Sequence, residues 1–345
     1  MFDEIIKEIL ESIDEKSNFT ETYPKFSGDG YKAHKIDIKN FHKIEKIISN
    51  KRIAFIDGGN AEIIGSANFS LNLIRVCFAV YENNKKIIVK KFEVLAFVQA
   101  VNQSNEIYFK ASFFNIKNNI ELGEISFSSF DHTLMTGVNR AEIKSVANAI
   151  RRFVELRIAK LISDEKIADI IVLDGNLQST FTDENKYLNE LYKSCNKNNV
   201  ILAALSKTTS LLTHNGNLLS VVLENISNIP LWFYYPIVEI NNSSHKAEMF
   251  FVKFHEKSKH ILRFEIFNIQ RTKAEETINL LASNCIDPIF IGYPYGLVEA
   301  DKIARISNQE KESLKTIFLI KLRNRNVEKY LSSVNAHDIL DRISF

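Results

Sequence analysis

Two aspartates follow short apolar runs and precede a glycine: Asp57 in IAFIDGG, residues 53–59, and Asp174 in IIVLDGNL, residues 170–177. An apolar run rich in β-branched residues and closed by glycine reads as a buried strand that stops at a turn. Each strand then ends in a carboxylate, and glycine lets a backbone or ligand come close to it. Side by side at one edge of a sheet, two such carboxylates repel each other unless a cation lies between them. Carboxylate oxygens suit hard divalent metals. Asp-Gly after a strand is also ordinary turn chemistry, so a turn alone explains either copy taken singly.

Bringing two strand ends together requires a sheet with elements packed on it. Residues 1–16 read as an amphipathic helix with Ile5, Ile6, Ile9, Leu10 and Ile13 on one face. Residues 17–35 read as a loop and 41–48 as a short helix with a basic side. After Asp57, strands are expected at 70–81, 86–100 and 106–114, with an irregular stretch at 116–136. The clearest helix is expected at 138–162, with Asn139 as its cap. On it, at about 100° per residue, Glu155 falls about 120° from the centre of the apolar face, within reach of Arg151. A surface Glu–Arg pair accounts for that placement. Strand 170–174, helix 182–196 and strand 200–206 follow, which is α/β organisation.

Further on, 221–228 is ambiguous, and an aromatic strand spans 231–240. A hairpin is expected with arms at 250–254 and 260–267, then a helix at 274–283, a short strand at 288–291, and helices from 297–306 and 314–332. Nothing marks a linker between two independent domains. The whole chain is expected to form a single domain, with a core at about 50–310 and helical extensions at 1–50 and 311–345.

Composition narrows the function classes. Lys and Arg number 44 against 42 Asp and Glu, a net charge of +2, so any nucleic-acid footprint has to be local. The three cysteines, Cys77, Cys195 and Cys285, are scattered without metal-ligand spacing. That excludes a disulfide framework and a zinc site and suits a reduced, cytoplasmic compartment. The acidic N-terminus is unlike a signal peptide, and no apolar run is long enough to span a membrane. Walker A and GxGxxG motifs are both missing, so ATP hydrolysis would fall to a partner.

The blocks IAFIDGG (53–59), FVELRIAKL (153–161), IIVLDGNL (170–177), LSKT (205–208), FFVKFHEKSKHILRFEI (250–266) and IGYPYGLVEADKIAR (291–305) appear in that order. Together they resemble the NurA family of DNA-end-processing nucleases, the GYPYGLVEAD block being the most specific. The resemblance implies a ribonuclease-H-like mixed sheet flanked by helices. It also implies divalent-metal-dependent cleavage of DNA, typically with Mn²⁺ at a two-metal site and with Mg²⁺ as the alternative. The activities implied are a 5′-to-3′ exonuclease and a single-strand endonuclease. A homodimer working with a hexameric HerA-type ATPase in double-strand-break resection is implied as well.

Residue by residue, the resemblance makes Asp57, Glu155 and Asp174 catalytic metal ligands and Tyr293 a catalytic residue. Asp301 falls where some members carry a metal-binding His, and it joins the expected metal set. DGG stands here in place of the commoner DGS. Lys207, ending a strand, and Lys253, His255 and Lys257, at a basic turn, are the expected DNA contacts, with solvated charge as the alternative. Trp232, Phe233, Tyr234 and Tyr235 could stack on bases or belong to the core. The rivals to a DNA nuclease are a catalytically inert DNA-binding subunit of a translocating ATPase and a nuclease of the same fold acting on RNA.

Overall fold

A computed structural model of the chain describes residues 2–15 and 22–322. Helix α1 (Phe2–Glu15) precedes three short strands, β1 (Pro24–Lys25), β2 (Tyr31–Ala33) and β3 (Phe41–Lys43). Four long strands follow: β4 (Ile53–Ser66), β5 (Phe69–Glu82), β6 (Lys85–Gln103) and β7 (Glu106–Lys117), with a short β8 (Ile125–Ser128). Then α2 (Val146–Asp164), β9 (Ile170–Asp174), α3 (Glu184–Asn198) and β10 (Ile201–Ser206) alternate. The chain continues through β11 (Leu212–Thr213), α4 (Leu219–Ile226), β12 (Trp232–Tyr234), β13 (Val238–Ile240), β14 (Ala247–Lys253) and β15 (Leu262–Phe267). Helices α5 (Ala274–Ser283), α6 (Tyr295–Ala304) and α7 (Asn308–Leu322) come last.

One sheet of 11 strands organises these elements, in the order β3-β12-β14-β15-β10-β9-β4-β5-β6-β7-β8. At its centre β4, β9 and β10 run parallel, and antiparallel strands extend it on both sides. Period-two alternation decides which helices cover which face. On one face, Ala54, Ile56, Ile171 and Leu173 pack with Phe153, Val154 and Ile158 of α2. On the other, Ile53, Phe55, Ile170 and Val172 pack with Leu281 of α5 and Leu297 of α6. Burial on both faces is why the central strands read as unbroken apolar runs.

Several sequence expectations need correction. The strand carrying Asp57 does not stop at the glycines but runs on to Ser66, paired with β5 along its length except for a bulge at Ile63. Residues 41–48 begin as the edge strand β3, where Phe41 pairs opposite Tyr234 and packs on Trp232; a long-range pairing outweighs the local helical pattern. The long helix starts at Val146, with Ser145 and not Asn139 at its cap position, because the Ala141 amide is bonded to Ser129 O and holds the preceding segment against β8. Pro236, which has no N–H to donate, divides the aromatic stretch into β12 and β13, and these belong to different sheets. Residues 288–290 form a 3₁₀ turn capped by Asp287, not a strand. Short strands occur within the stretches read as loop or irregular, and α4 resolves the ambiguous one. Of the last expected helix, residues 323–332 lie outside those described. No described helix is long and apolar enough to cross a membrane.

Candidate metal centre

Parallel pairing of β4 with β9 ends at Ile56 opposite Leu173, and that of β9 with β10 ends at Asp174 opposite Leu205. Beyond those last partners the edge of the parallel strands is open. Asp57, Asp174 and Lys207 are the next residues in the same parity as Phe55, Val172 and Leu205, so all three side chains emerge on the α5–α6 face. Helix α6 lies on that face and adds Asp301. One carboxylate oxygen from each of Asp57, Asp174 and Asp301 lies within 4.8 Å of the other two.

Lys207 is drawn into this group. Its ammonium is 2.7 Å from Asp174 Oδ2, 3.3 Å from Asp301 Oδ1 and 3.9 Å from Asp57 Oδ2. A cation among three carboxylates is the expected response to their mutual repulsion. Asp57 is buried, and its Oδ1 accepts a hydrogen bond from the Gly58 amide at 2.7 Å. Burial, together with the charges of Asp174 and Glu155, pushes its carboxyl up to about 8 despite Lys207 and the amide. Asp301 is the exposed member, with 54% of its side chain open to solvent.

Tyr293 is fully buried beneath the group and donates from its hydroxyl to Asp174 Oδ1 at 3.3 Å. Its ring stacks on Phe290 and lies 5.5 Å below the Lys207 ammonium. Burial and the nearby Asp174 and Asp57 raise the phenol far above its ordinary value, which keeps it protonated as a donor.

Glu155 stands apart from these three aspartates. It is buried on the α2 face, paired with Arg151 and, at 3.5 Å, with Arg152. A surface ion pair is therefore not the right description. The two glycines explain how it comes near β4. A Cβ on Gly58 would stand 2.6 Å from Glu155 Oε1, and one on Gly59 would stand 2.6 Å from the Ala304 carbonyl oxygen at the end of α6. Gly-Gly is thus not a turn here. It allows α2 and α6 to press on opposite faces of β4 next to Asp57.

Three aspartate carboxylates converging on a position already attractive to an ammonium are a donor set that fits a hard divalent cation. The other expected contacts are placed differently. Lys253 is buried, its ammonium 2.5 Å from Glu224 Oε1, so it is not the free cation a phosphate contact requires. Lys257 is exposed and His255 half-buried, on a turn whose Ser258 packs against Gly292, next to Tyr293. Trp232, Phe233 and Tyr234 are core residues. Sequence reasoning missed the position of Lys207 among the acids, the arginines holding Glu155, and a buried Glu265 behind β9. None of these carries a local signal, because each depends on elements far apart in sequence.

Comparison with known proteins agrees with the fold. The NurA domain family matches residues 51–306. Among solved structures, the NurA nuclease from Sulfolobus solfataricus superposes with a TM-score of 0.54 at 13% identity, covering 94% of this chain and 95% of that one. Ciona intestinalis endonuclease V bound to DNA gives a TM-score of 0.38 at 12% identity over 77% and 87% of the two chains. No curated protein is similar in sequence at a significant level. The order β10-β9-β4-β5-β6, with β4, β9 and β10 parallel and helices between them, is the ribonuclease-H-like core that the resemblance implied.

Proposed function

The chain belongs to the NurA domain family, and on that premise we propose that it is a divalent-metal-dependent nuclease that hydrolyses DNA. The convergence of Asp57, Asp174 and Asp301 at the open edge of the parallel strands carries this reading. These three would hold the metal, Mn²⁺ or Mg²⁺, with the buried Glu155 as the fourth carboxylate, close enough to act on Asp57 through its charge. Bound there, the metal would lower the pKa of water and neutralise charge on the phosphate.

The chain's own residues prepare the site. Asp57, in an almost dry position, is the carboxylate most in need of a counter-charge. Tyr293 fixes the orientation of Asp174 by donating to it from below. Lys207, at the same edge, offsets part of the acids' charge and is placed to take a phosphate oxygen of the strand. His255 and Lys257, on the turn packed next to Gly292, are further phosphate contacts in this proposal. In hydrolysis a water oxygen attacks phosphorus, the phosphodiester P–O bond breaks, and the leaving oxygen takes up a proton.

The finer expectations enter here on the strength of the family. The activities are a 5′-to-3′ exonuclease and a single-strand endonuclease, in end resection with a hexameric HerA-type ATPase, by a homodimer. Helix α1 supports an assembly role, since Ile5, Ile6, Ile9 and Leu10 are all exposed on it; the side chain of Ile13 lies outside those described. The rival reading, a DNA-binding subunit without catalysis, draws on Lys207 filling the acid cluster. Cleavage of labelled DNA and RNA with Mn²⁺, Mg²⁺ or EDTA separates the readings. The proposal expects DNA to be cut with either metal and left intact in EDTA. Cleavage of RNA alone, or of neither polymer, overturns it.

A further inference from the structure

We propose that helix α1 of one protomer docks in an apolar groove of a second copy of this chain, and that the exchange is reciprocal. The inference deepens the homodimer reading above and rests on it. The groove lies between α7 and the sheet and has a volume of about 630 Å³. Leu71 on β5, Leu95 and Phe97 on β6, Phe114 on β7, and Phe318 and Leu322 on α7 line it, and every lining residue is apolar. Leu314 and Phe318 pack over Leu71 and Leu73, whereas on β7 Phe114, and Ile116 in the same parity, are exposed. An open apolar trough of this kind marks a contact with another apolar surface. Helix α1 has the shape to fill it, with Phe2, Ile5, Ile6, Ile9 and Leu10 all exposed along one side. Laying such a stripe into a groove is a recurring mode of helix recognition. The 14 residues of α1 make a rod about 21 Å long, close in length to the 15-residue α7 that walls the groove.

Charge fits as well as shape. Helix α1 carries six acids and one lysine, and Asp3 and Glu8 border its apolar stripe on either side. On α7, Lys311 and Lys315 stand on the same helix face as Phe318 and Leu322. Among the described residues Glu310, bonded to Arg75, is the one α7 side chain in an ion pair, which leaves these lysines without a counter-charge. Acids along the stripe and lysines along the groove are complementary. The helix comes from a second copy because its own groove is out of reach. From Glu15 to Thr22 the chain spans at most about 24 Å. It is then held on the α4 face, where Phe26 packs against Met249, Phe251 and Leu223. Lys25 and Phe26 share a cavity with Ser206, just past the level of Asp174. The groove is on the other face, since Leu71 and Leu73 share the parity of Ala79 and Tyr81. Its Ile64 lies about 23 Å beyond Asp57 along β4, and three strand spacings, about 14 Å, separate β10 from β5. A path that covers both displacements and rounds the sheet edge is longer than the link. Two chains trading one helix each bury both stripes and both grooves in a closed two-fold pair.

The test uses the full chain and positions outside the metal centre. Dimer dissociation is followed by energy transfer between donor- and acceptor-labelled chains for wild type, Ile9→Arg on α1, Phe114→Arg in the groove wall, and an equal mixture of the two variants. Ile9 and Phe114 are both exposed, so circular dichroism of each variant should match wild type. Each variant alone should raise the dimer Kd about a hundred-fold or more, because a guanidinium forced into an apolar contact loses its water. The mixture should recover partway. Phe114→Arg chains still present an intact helix and Ile9→Arg chains an intact groove, so a mixed pair keeps one of its two exchanged contacts. Lys315→Glu, which leaves the apolar wall intact, should raise Kd about ten-fold at low salt and less at high salt. A monomeric wild type overturns the homodimer reading and this proposal with it. A wild-type dimer whose Kd is indifferent to any one of the three substitutions overturns the proposal alone, as does a mixture that shows no recovery.

Discussion

Asp57 is a carboxylate inside a paired strand, between Ile56 and the Gly58-Gly59 step, with two helices pressed close on either side. Its carboxyl is raised to about 8 by burial and by Asp174 and Glu155. The folded value lies above the ordinary 3.8, so the folded metal-free protein binds a proton more readily than the unfolded chain. That stabilisation is complete below about pH 4 and is lost as pH rises through about 8. Asn cannot ionise. In EDTA, Asp57→Asn should match wild type in stability near pH 4 and exceed it by a few kcal/mol at pH 9. Urea denaturation at the two pH values measures this, and a variant less stable than wild type at pH 9 would contradict the electrostatic account. Of the residues around it, Asp57 and Asp174 were marked by their strands, whereas Asp301 was marked only by its register in the GYPYGLVEAD block. Nothing local marks Lys207 as a neighbour of three acids, since α6, β4 and β9 converge on it from distant parts of the chain.

At the scale of elements, the loop after β9 must be held for Asp174 to face the site. Glu265 on β15 does this from inside the core: its Oε2 accepts from the Leu177 amide at 2.8 Å. Its other oxygen takes Arg263, and His245 Nε2 lies 3.1 Å from Oε2 as a close contact without hydrogen-bond alignment. Burial alone would raise this carboxyl, but Arg263, His245 and the amide overcome burial and hold it at about 2. The folded value is below the ordinary 4.5, so the stabilisation is present above about pH 4.5 and is lost as pH falls through about 2. The difference corresponds to ~3 kcal/mol. Glu265→Gln should therefore lower stability by about that much at pH 7, with the deficit shrinking toward pH 2. Equal stability of the two proteins at pH 7 would show that the buried carboxylate is not what pins the loop. Periodicity made most elements legible, including β9, α5 and the β5–β6 hairpin. It failed where a distant partner decided the outcome, as for β3 against β12, or where tertiary tethering delayed a helix, as for α2.

At the scale of the whole molecule, the fold matches the Sulfolobus NurA nuclease across nearly the full length of both chains at 13% identity. Packing tolerates that divergence because a sheet covered on both faces asks only for apolar residues of suitable size in the right parity. The order of the strands was not legible from periodicity. It follows from the parallel pairings β4–β9 and β9–β10, which place the ends of β9 and β10, the middle of β4 and one helix around a single point. That convergence is the central claim, and the initial rate of cleavage of end-labelled single-stranded DNA over a Mn²⁺ titration, for wild type beside Asp57→Asn, tests it most directly. The wild-type rate should climb with Mn²⁺ to saturation and vanish in EDTA, while Asp57→Asn should be slower by roughly 10²–10³-fold at every concentration. Cleavage by Asp57→Asn at the wild-type rate, or wild-type cleavage undiminished by EDTA, would contradict it.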